Sequence, residues 1–374
     1  MENIAIALCG GGGKGAFQIG ALKYFQEQGL MENVKAISGS SVGALNAVLF
    51  ALGNYNYAEK IWKSIHQKDI LLPNNVNEIS LRSSNPFSIN LFRQDKLKEI
   101  IEQIPLYNIQ NSPIDIYVAV TNTNNGFNFD DYEYIHINKL PLTDIVDILL
   151  AATSMPILYE DININGINMA DAGTIEYGNT PIEPLCKNGY NNIYVISLDS
   201  GFSIYDIRKS NKRINAYDIF PQCTFNVIRP LHDLGGLEAT LDFSQNAIRS
   251  NLCAGYIDTK KTLNNERVSH MRNNEAINID IDKKMRALFN SSEDIDRFIK
   301  LSEFSSINIV SKTMGGKTWW KTIVEMFGWK VQQHIINKSH YRIINSDGIR
   351  YAYTYNPQKL LEALEMYEVT NKDD

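Results

Sequence analysis

The sequence predicts an α/β protein, with a domain built on a mostly parallel sheet and a mainly helical C-terminal region after it. Three observations predict it. The first fifty residues alternate short apolar runs with helical patterns in the order β-α-β-α, and such alternation argues for a parallel sheet with right-handed crossovers. Glycine-rich turns end both opening strands, at residues 10–15 and 39–43. Beyond about residue 262, strands fade and charged helical patterns take over. The chain is therefore read as two regions, 1–262 and 263–374, with the boundary near 260–275.

The elements follow in order. Residues 4–8 are an apolar run of the kind found in a buried parallel strand. Phe17, Ala21, Tyr24 and Phe25 then share one helical face, and Gly29 ends that helix. Residues 34–38 are the second strand, after which Leu45, Val48, Leu49 and Leu52 recur at helical spacing. A helix is expected over 58–66, and another over 96–104. Between them, residues 68–93 form an irregular stretch suited to a lid or a substrate entry. Residues 114–120 read as a strand, with 132–137 returning beside it as a hairpin. Residues 143–152 are helical, 162–168 a second hairpin, and 193–198 a buried strand. In the C-terminal region, helices are expected over 281–289, 294–301, 321–331 and 357–366.

Composition excludes several classes. With 44% hydrophobic and 21% charged residues in 374, the chain has the balance of a globular protein and can bury a large core. A net charge of −6 speaks against a general nucleic-acid binder. Cys9, Cys186, Cys223 and Cys253 are scattered with no C-x-x-C pair, so neither a zinc site nor a disulfide framework is indicated. Reduced thiols of an intracellular protein fit best. No run of 18 apolar residues occurs, and no basic segment with an apolar stretch precedes the glycines. The expectation is a soluble, cytoplasmic protein that meets a membrane only from its surface.

The second glycine turn carries the chemistry. Gly39-Ser40-Ser41-Val42-Gly43 is a G-x-S-x-G between a strand and a helix, a context that strains the serine so that its hydroxyl stands clear of the sheet. Ser41 is the candidate nucleophile. The first turn, Gly10-Gly11-Gly12-Gly13-Lys14-Gly15, has three readings. A dinucleotide site needs an acid at the end of the second strand, where Ser38-Gly39-Ser40-Ser41 stands instead. A P-loop fails because Leu8 occupies its first glycine position and Gly15 follows Lys14. Consecutive backbone N–H groups at a helix start also suit an oxyanion hole, and only this reading makes use of Ser41.

A serine needs a base. None of the six histidines sits in a turn built around it; His232 is the least implausible. A better partner is Asp171, at a strand end in Met169-Ala170-Asp171-Ala172-Gly173, although an Asp before small residues is also a common turn residue.

These three segments, in this order, resemble the patatin-like phospholipase family, whose pattern is a glycine-rich motif with Arg or Lys, then G-x-S-x-G, then D-G-[GA]. Residues 151–156, 179–181 and 241–244 are similar to its supporting stretches, so the resemblance spans about residues 1–262. Ala172 departs from it, standing where the family has glycine. The resemblance implies a three-layer α/β/α domain and a lipid acyl hydrolase of phospholipase A or lysophospholipase type, working without cofactor or metal. It implies a Ser41–Asp171 dyad with no histidine and an oxyanion hole from Gly10, Gly11, Gly12 and Gly13. Lys14, Gly15, Gly39, Gly43 and Gly173 would support the motifs. Lys14 is open between holding the loop, meeting a lipid phosphate and standing solvated. The implied partner is a phospholipid or lysophospholipid.

A different class of reading also stands: a latent regulatory or binding protein on the same fold, acting through its C-terminal region. That region carries Trp319, Trp320 and Trp329 interleaved with lysines. The pattern suits a membrane interface, a helix packed on the core or an oligomer contact.

Overall fold

In a computed structural model, the described residues are 3–73, 91–124, 132–174, 178–209, 212–264, 274–301, 311–312, 320–335, 340–354 and 357–371. Two compact units are present, Met1–Asn264 and Asn265–Asp374.

The first unit opens with β1 (Ile4–Leu8), a 3-10 turn (Gly12–Gly15) running into α1 (Ala16–Glu27), β2 (Val34–Ser40) and α2 (Val42–Ala51). Helices α3 (Tyr55–Ser64), α4 (Gln67–Ile70) and α5 (Asp95–Glu102) follow, then β3 (Asp115–Asn122), β4 (Tyr132–His136) and α6 (Leu142–Thr153). The hairpin β5 (Ile162–Ile164) and β6 (Ile167–Asp171) comes next, then β7 (Asn192–Ile196), β8 (Thr224–Ile228), α7 (Leu237–Thr240) and α8 (Gln245–Leu263). The sheet runs β8-β7-β1-β2-β3-β6-β5, with β4 also on β3. The first five strands in that order are parallel; β4, β5 and β6 are antiparallel additions at one side. The α/β expectation holds, and the hairpins at 132–136 and 162–171 form where the residues predicted them.

Strand alternation explains why both sheet faces are covered. Ile4, Ile6 and Leu8 enter one core with Phe17, Leu22, Val48 and Phe50 of α1 and α2. Ala5, Ala7 and Cys9 point the other way, into a second core with Leu185, Ile204, Phe220 and Phe225. The small residues on that second face let its cover approach closely. Cys9 is there an inert thiol, with burial pushing its pKa up to about 12. All four cysteines are buried, and none forms a disulfide.

The second unit corrects one expectation. Helices α9 (Asn274–Leu288), α10 (Ser292–Leu301) and, after the strands, α11 (Pro357–Asn371) match the predicted ones. Residues 321–331, predicted helical, instead form part of a five-stranded antiparallel sheet. It comprises β9 (Ser311–Lys312), β10 (Trp320–Met326), β11 (Trp329–His334), β12 (Tyr341–Ile344) and β13 (Ile349–Thr354), in the order β9-β13-β12-β11-β10. Phe327 and Gly328 both have positive φ (48° and 80°), the geometry that joins two strands in a tight hairpin. Trp329, Val331 and Tyr341 are buried beside Phe289, Phe298 and Leu364 of the helices. Trp319 and most of the 68–93 stretch lie outside the described residues.

Candidate active site

The chain turns sharply between β2 and α2. Ser41 sits at the apex with φ 52° and ψ −131°, a conformation that costs a non-glycine residue of order 1–3 kcal/mol. The flanking glycines permit it. A Cβ on Gly39 would lie 2.2 Å from the Gly43 carbonyl oxygen, and one on Gly43 would lie 2.2 Å from that of Leu8. Backbone cannot yield there, so any side chain at either position would open the turn.

Asp171 ends β6 beside β3 and is 1% exposed, with its N–H donating to the Ser154 carbonyl at 3.0 Å. Its carboxylate accepts from the Ser41 hydroxyl and, at 2.6 Å, from the Gly173 N–H. Burial is the dominant influence and pushes its pKa up to about 7 against these two donors. His136 is engaged with Asp115 and Tyr117, and His66 with Asp69. Gly173 stands close to both groups, since a Cβ there would lie 2.9 Å from Asp171 Oδ1 and 3.0 Å from Ser41 Cβ.

The Ala172 departure has a plain physical account. Ala172 is buried in a 3-10 turn and is not among the residues with positive φ, so its position does not require glycine.

The first glycine turn lies against Ser41. The Gly10 N–H donates to Asn179 Oδ1 at 2.7 Å, which commits it inside the protein. Gly12 and Gly13 open the 3-10 turn, whose first N–H groups have no acceptor within the turn. Gly12 (φ 56°) has the Thr240 carbonyl 2.0 Å from where a Cβ would stand, and Gly13 has that of Asp242 at 2.1 Å. The Lys14 N–H donates to the Gly11 carbonyl at 3.3 Å; its side chain is half-buried and makes no ion pair among the described residues. The Ser38 hydroxyl donates to the Pro181 carbonyl, tying the Asn179 loop to β2.

Sequence reasoning missed a buried polar chain below this turn. Trp62 Nε1 donates to Asn46 Oδ1 (2.9 Å), and Asn46 Nδ2 donates to the Gly15 carbonyl (2.9 Å) and Gln18 Oε1 (2.8 Å). Gln18 Nε2 in turn donates to the Cys9 carbonyl at 2.7 Å. A polar Asn inside the otherwise apolar helix 42–51 was the available signal. Replacing Asn46 with leucine strands the Trp62 N–H and Gln18 Oε1, at about 1–3 kcal/mol for each buried group left unpaired. Thermal denaturation should show a drop of several degrees.

Asn46 and Trp62 also line, together with Ser41 and Gly12, a cleft of about 80 Å³. Its walls are otherwise almost wholly apolar, with Leu49, Ile101, Leu158 and Phe243 among them.

The fold and the motifs together set a strained serine against a buried carboxylate. Residues 6–185 match the model of the patatin-like phospholipase family, and the first unit is a domain of that family. That match supports lipid acyl hydrolysis at the level of the family. No curated protein matches it. Solved structures similar to it include VipD from Legionella pneumophila (15% identity, TM-score 0.37, covering 71% of this chain and 67% of that one). The type III effector protein ExoU is another (14%, 0.38, 81% and 62%). A third is the SpcU–ExoU complex from Pseudomonas aeruginosa (12%, 0.34, 81% and 68%). Among the described residues, no helix is long and apolar enough to cross a membrane, and no cluster of His, Cys, Asp or Glu could hold a metal ion.

Proposed function

We propose that the protein cleaves carboxylic esters of phospholipids or lysophospholipids through a Ser41–Asp171 dyad and an acyl-enzyme. The observation that carries this reading is the Ser41 hydroxyl bonded to a buried carboxylate in the wall of a mostly apolar cleft. Asp171 takes the proton as Ser41 Oγ attacks the ester carbonyl. The oxyanion is held by N–H groups of Gly11, Gly12 and Gly13, each such donor being worth ~3 kcal/mol; Gly10 is excluded by its bond to Asn179. Collapse returns the proton from Asp171 to the leaving alkoxide and leaves the acyl group on Ser41. Water, deprotonated by Asp171, then releases the fatty acid. The acyl chain occupies the cleft.

A free carboxylate with a pKa near 4 would be a weak base, whereas a value of about 7 suits proton transfer at neutral pH. Only ionised Asp171 can accept the proton. The ratio kcat/KM is therefore expected to rise through about pH 7 and level off above it, in a stopped assay on a soluble short-chain ester. A profile flat from pH 5 to 9 would remove Asp171 as the base. The direct test of the function is mass spectrometry of fatty acids released from mixed membrane lipids by wild type and Ser41→Ala. Release that is equal for both proteins would refute the proposal.

A further inference from the structure

The sheet of the second unit has two faces of different character. Val331, Tyr341, Ile343 and Ala352 face its apolar core. On the other face the cross-strand register sets Trp320 beside His334, Gln332 beside Arg342, and Arg342 beside Tyr353. Arg342 stands at the centre and is only 6% exposed. Its Nε donates to Gln332 Oε1 at 2.9 Å, and its guanidinium lies 3.9 Å from the centre of the Trp320 ring. Among the described residues it has no carboxylate partner. The acid of β10, Glu325, is engaged by Lys330 at 3.0 Å.

More cationic and donor groups surround Arg342. The Trp320 ring is held edge-on by His334 (5.0 Å) and His340 (4.9 Å), which stack on each other at 6.0 Å. Arg350 lies over Tyr353 at 4.8 Å. These neighbours are half-buried, so they form a rim that reaches solvent around a recessed floor. Burial, and then the charge of Arg350, push the Arg342 pKa down to about 10. His340 is pushed down as well, by burial and by His334, Arg350 and Arg342. The groups here repel one another's protons.

A buried guanidinium without a counter-charge is costly, and folding alone gives no reason to retain it. Its planar fork, fixed here by Gln332 and Trp320, matches two oxygens of an oxyanion. We propose that this face of the β10–β13 sheet binds a phosphate monoester, with Arg342 at the floor and Arg350, His334 and His340 donating from the rim. The shared chemistry is a phosphate carrying unesterified oxygens, whether on a soluble ester or on a lipid head group.

The test uses the full chain and two probes at constant ionic strength. One is inorganic phosphate, read by calorimetry and thermal shift against chloride. The other is flotation with phosphatidylcholine vesicles, with and without phosphatidic acid. Wild type should gain a few degrees of melting temperature in phosphate, float with phosphatidic acid vesicles, or do both. Flotation without a response to soluble phosphate identifies a lipid source; response to soluble phosphate alone identifies a free ester. Arg342→Gln should weaken whichever binding is seen by ~tenfold or more, as expected for loss of a bidentate charged contact. Arg350→Gln, on the rim, should weaken it less and serves as the second variant should Arg342→Gln fold poorly. Absence of binding to both probes overturns the proposal. Wild-type affinity in folded Arg342→Gln also overturns it, as does wild-type affinity in Arg350→Gln if Arg342→Gln does not fold.

Discussion

Asp171→Asn is expected to abolish ester hydrolysis and, at the same time, to make the protein more stable. The two effects share one cause. Asparagine keeps an oxygen that can accept from Ser41 and from the Gly173 N–H, so the geometry survives, but it cannot take a proton. Loss of a catalytic base of this kind costs about 10⁴-fold in kcat. The gain in stability comes from linkage. The folded-state pKa of Asp171 is raised to about 7, against about 4 in the unfolded chain. Between those values the folded state binds the extra proton, so wild-type stability falls as pH rises through that window. The penalty is absent below about pH 4 and complete above about pH 7, where it amounts to a few kcal/mol. The variant should melt several degrees higher than wild type at pH 8 and at nearly the same temperature at pH 4. Equal melting temperatures at pH 8 would show that the carboxylate is not held in a desolvated site.

Ser41→Ala carries the other large effect. It should lower hydrolysis by about 10⁴-fold or more, leave the fold intact and end labelling by a fluorophosphonate probe. The variant removes the hydroxyl donor to Asp171 but keeps a β-carbon at the strained apex, so the turn retains its shape. The missing donor should push the Asp171 pKa further up, because the bond from Ser41 is one of the two that oppose burial. Infrared titration of the carboxyl would register that shift. Retained labelling in Ser41→Ala would move the nucleophile elsewhere.

The elements of the candidate site were legible because their chemistry is local. A glycine on each side of Ser41, an apolar strand before it and an amphipathic run after it suffice to write the turn between β2 and α2. Asp171 at a strand end could be named but not weighed, since its strength as a base comes from burial between segments far apart in sequence. The same limit applied to Gly10, whose N–H is taken by Asn179, 169 residues away. The Trp62–Asn46–Gln18 chain was hidden for the same reason. Residues 321–331 did carry the local signal of strands. The alternation through Trp329, Val331 and Gln333, all buried, and the Phe327-Gly328 turn fit strands better.

Ser41 is 6% exposed, in the wall of a cleft lined mostly by hydrocarbon. A nucleophile so placed cannot skim an ester at the level of the head groups. On the proposed reading, the lipid has to leave its layer and thread its tail into the protein before any bond is broken. A tail passing through water would lose roughly 0.8 kcal/mol per methylene, whereas one sliding directly from membrane to slot loses almost nothing. Turnover on the proposed reading would therefore follow how tightly the donor layer grips its lipids. Loosely packed, curved or single-chain substrates would be consumed first, whatever their head group.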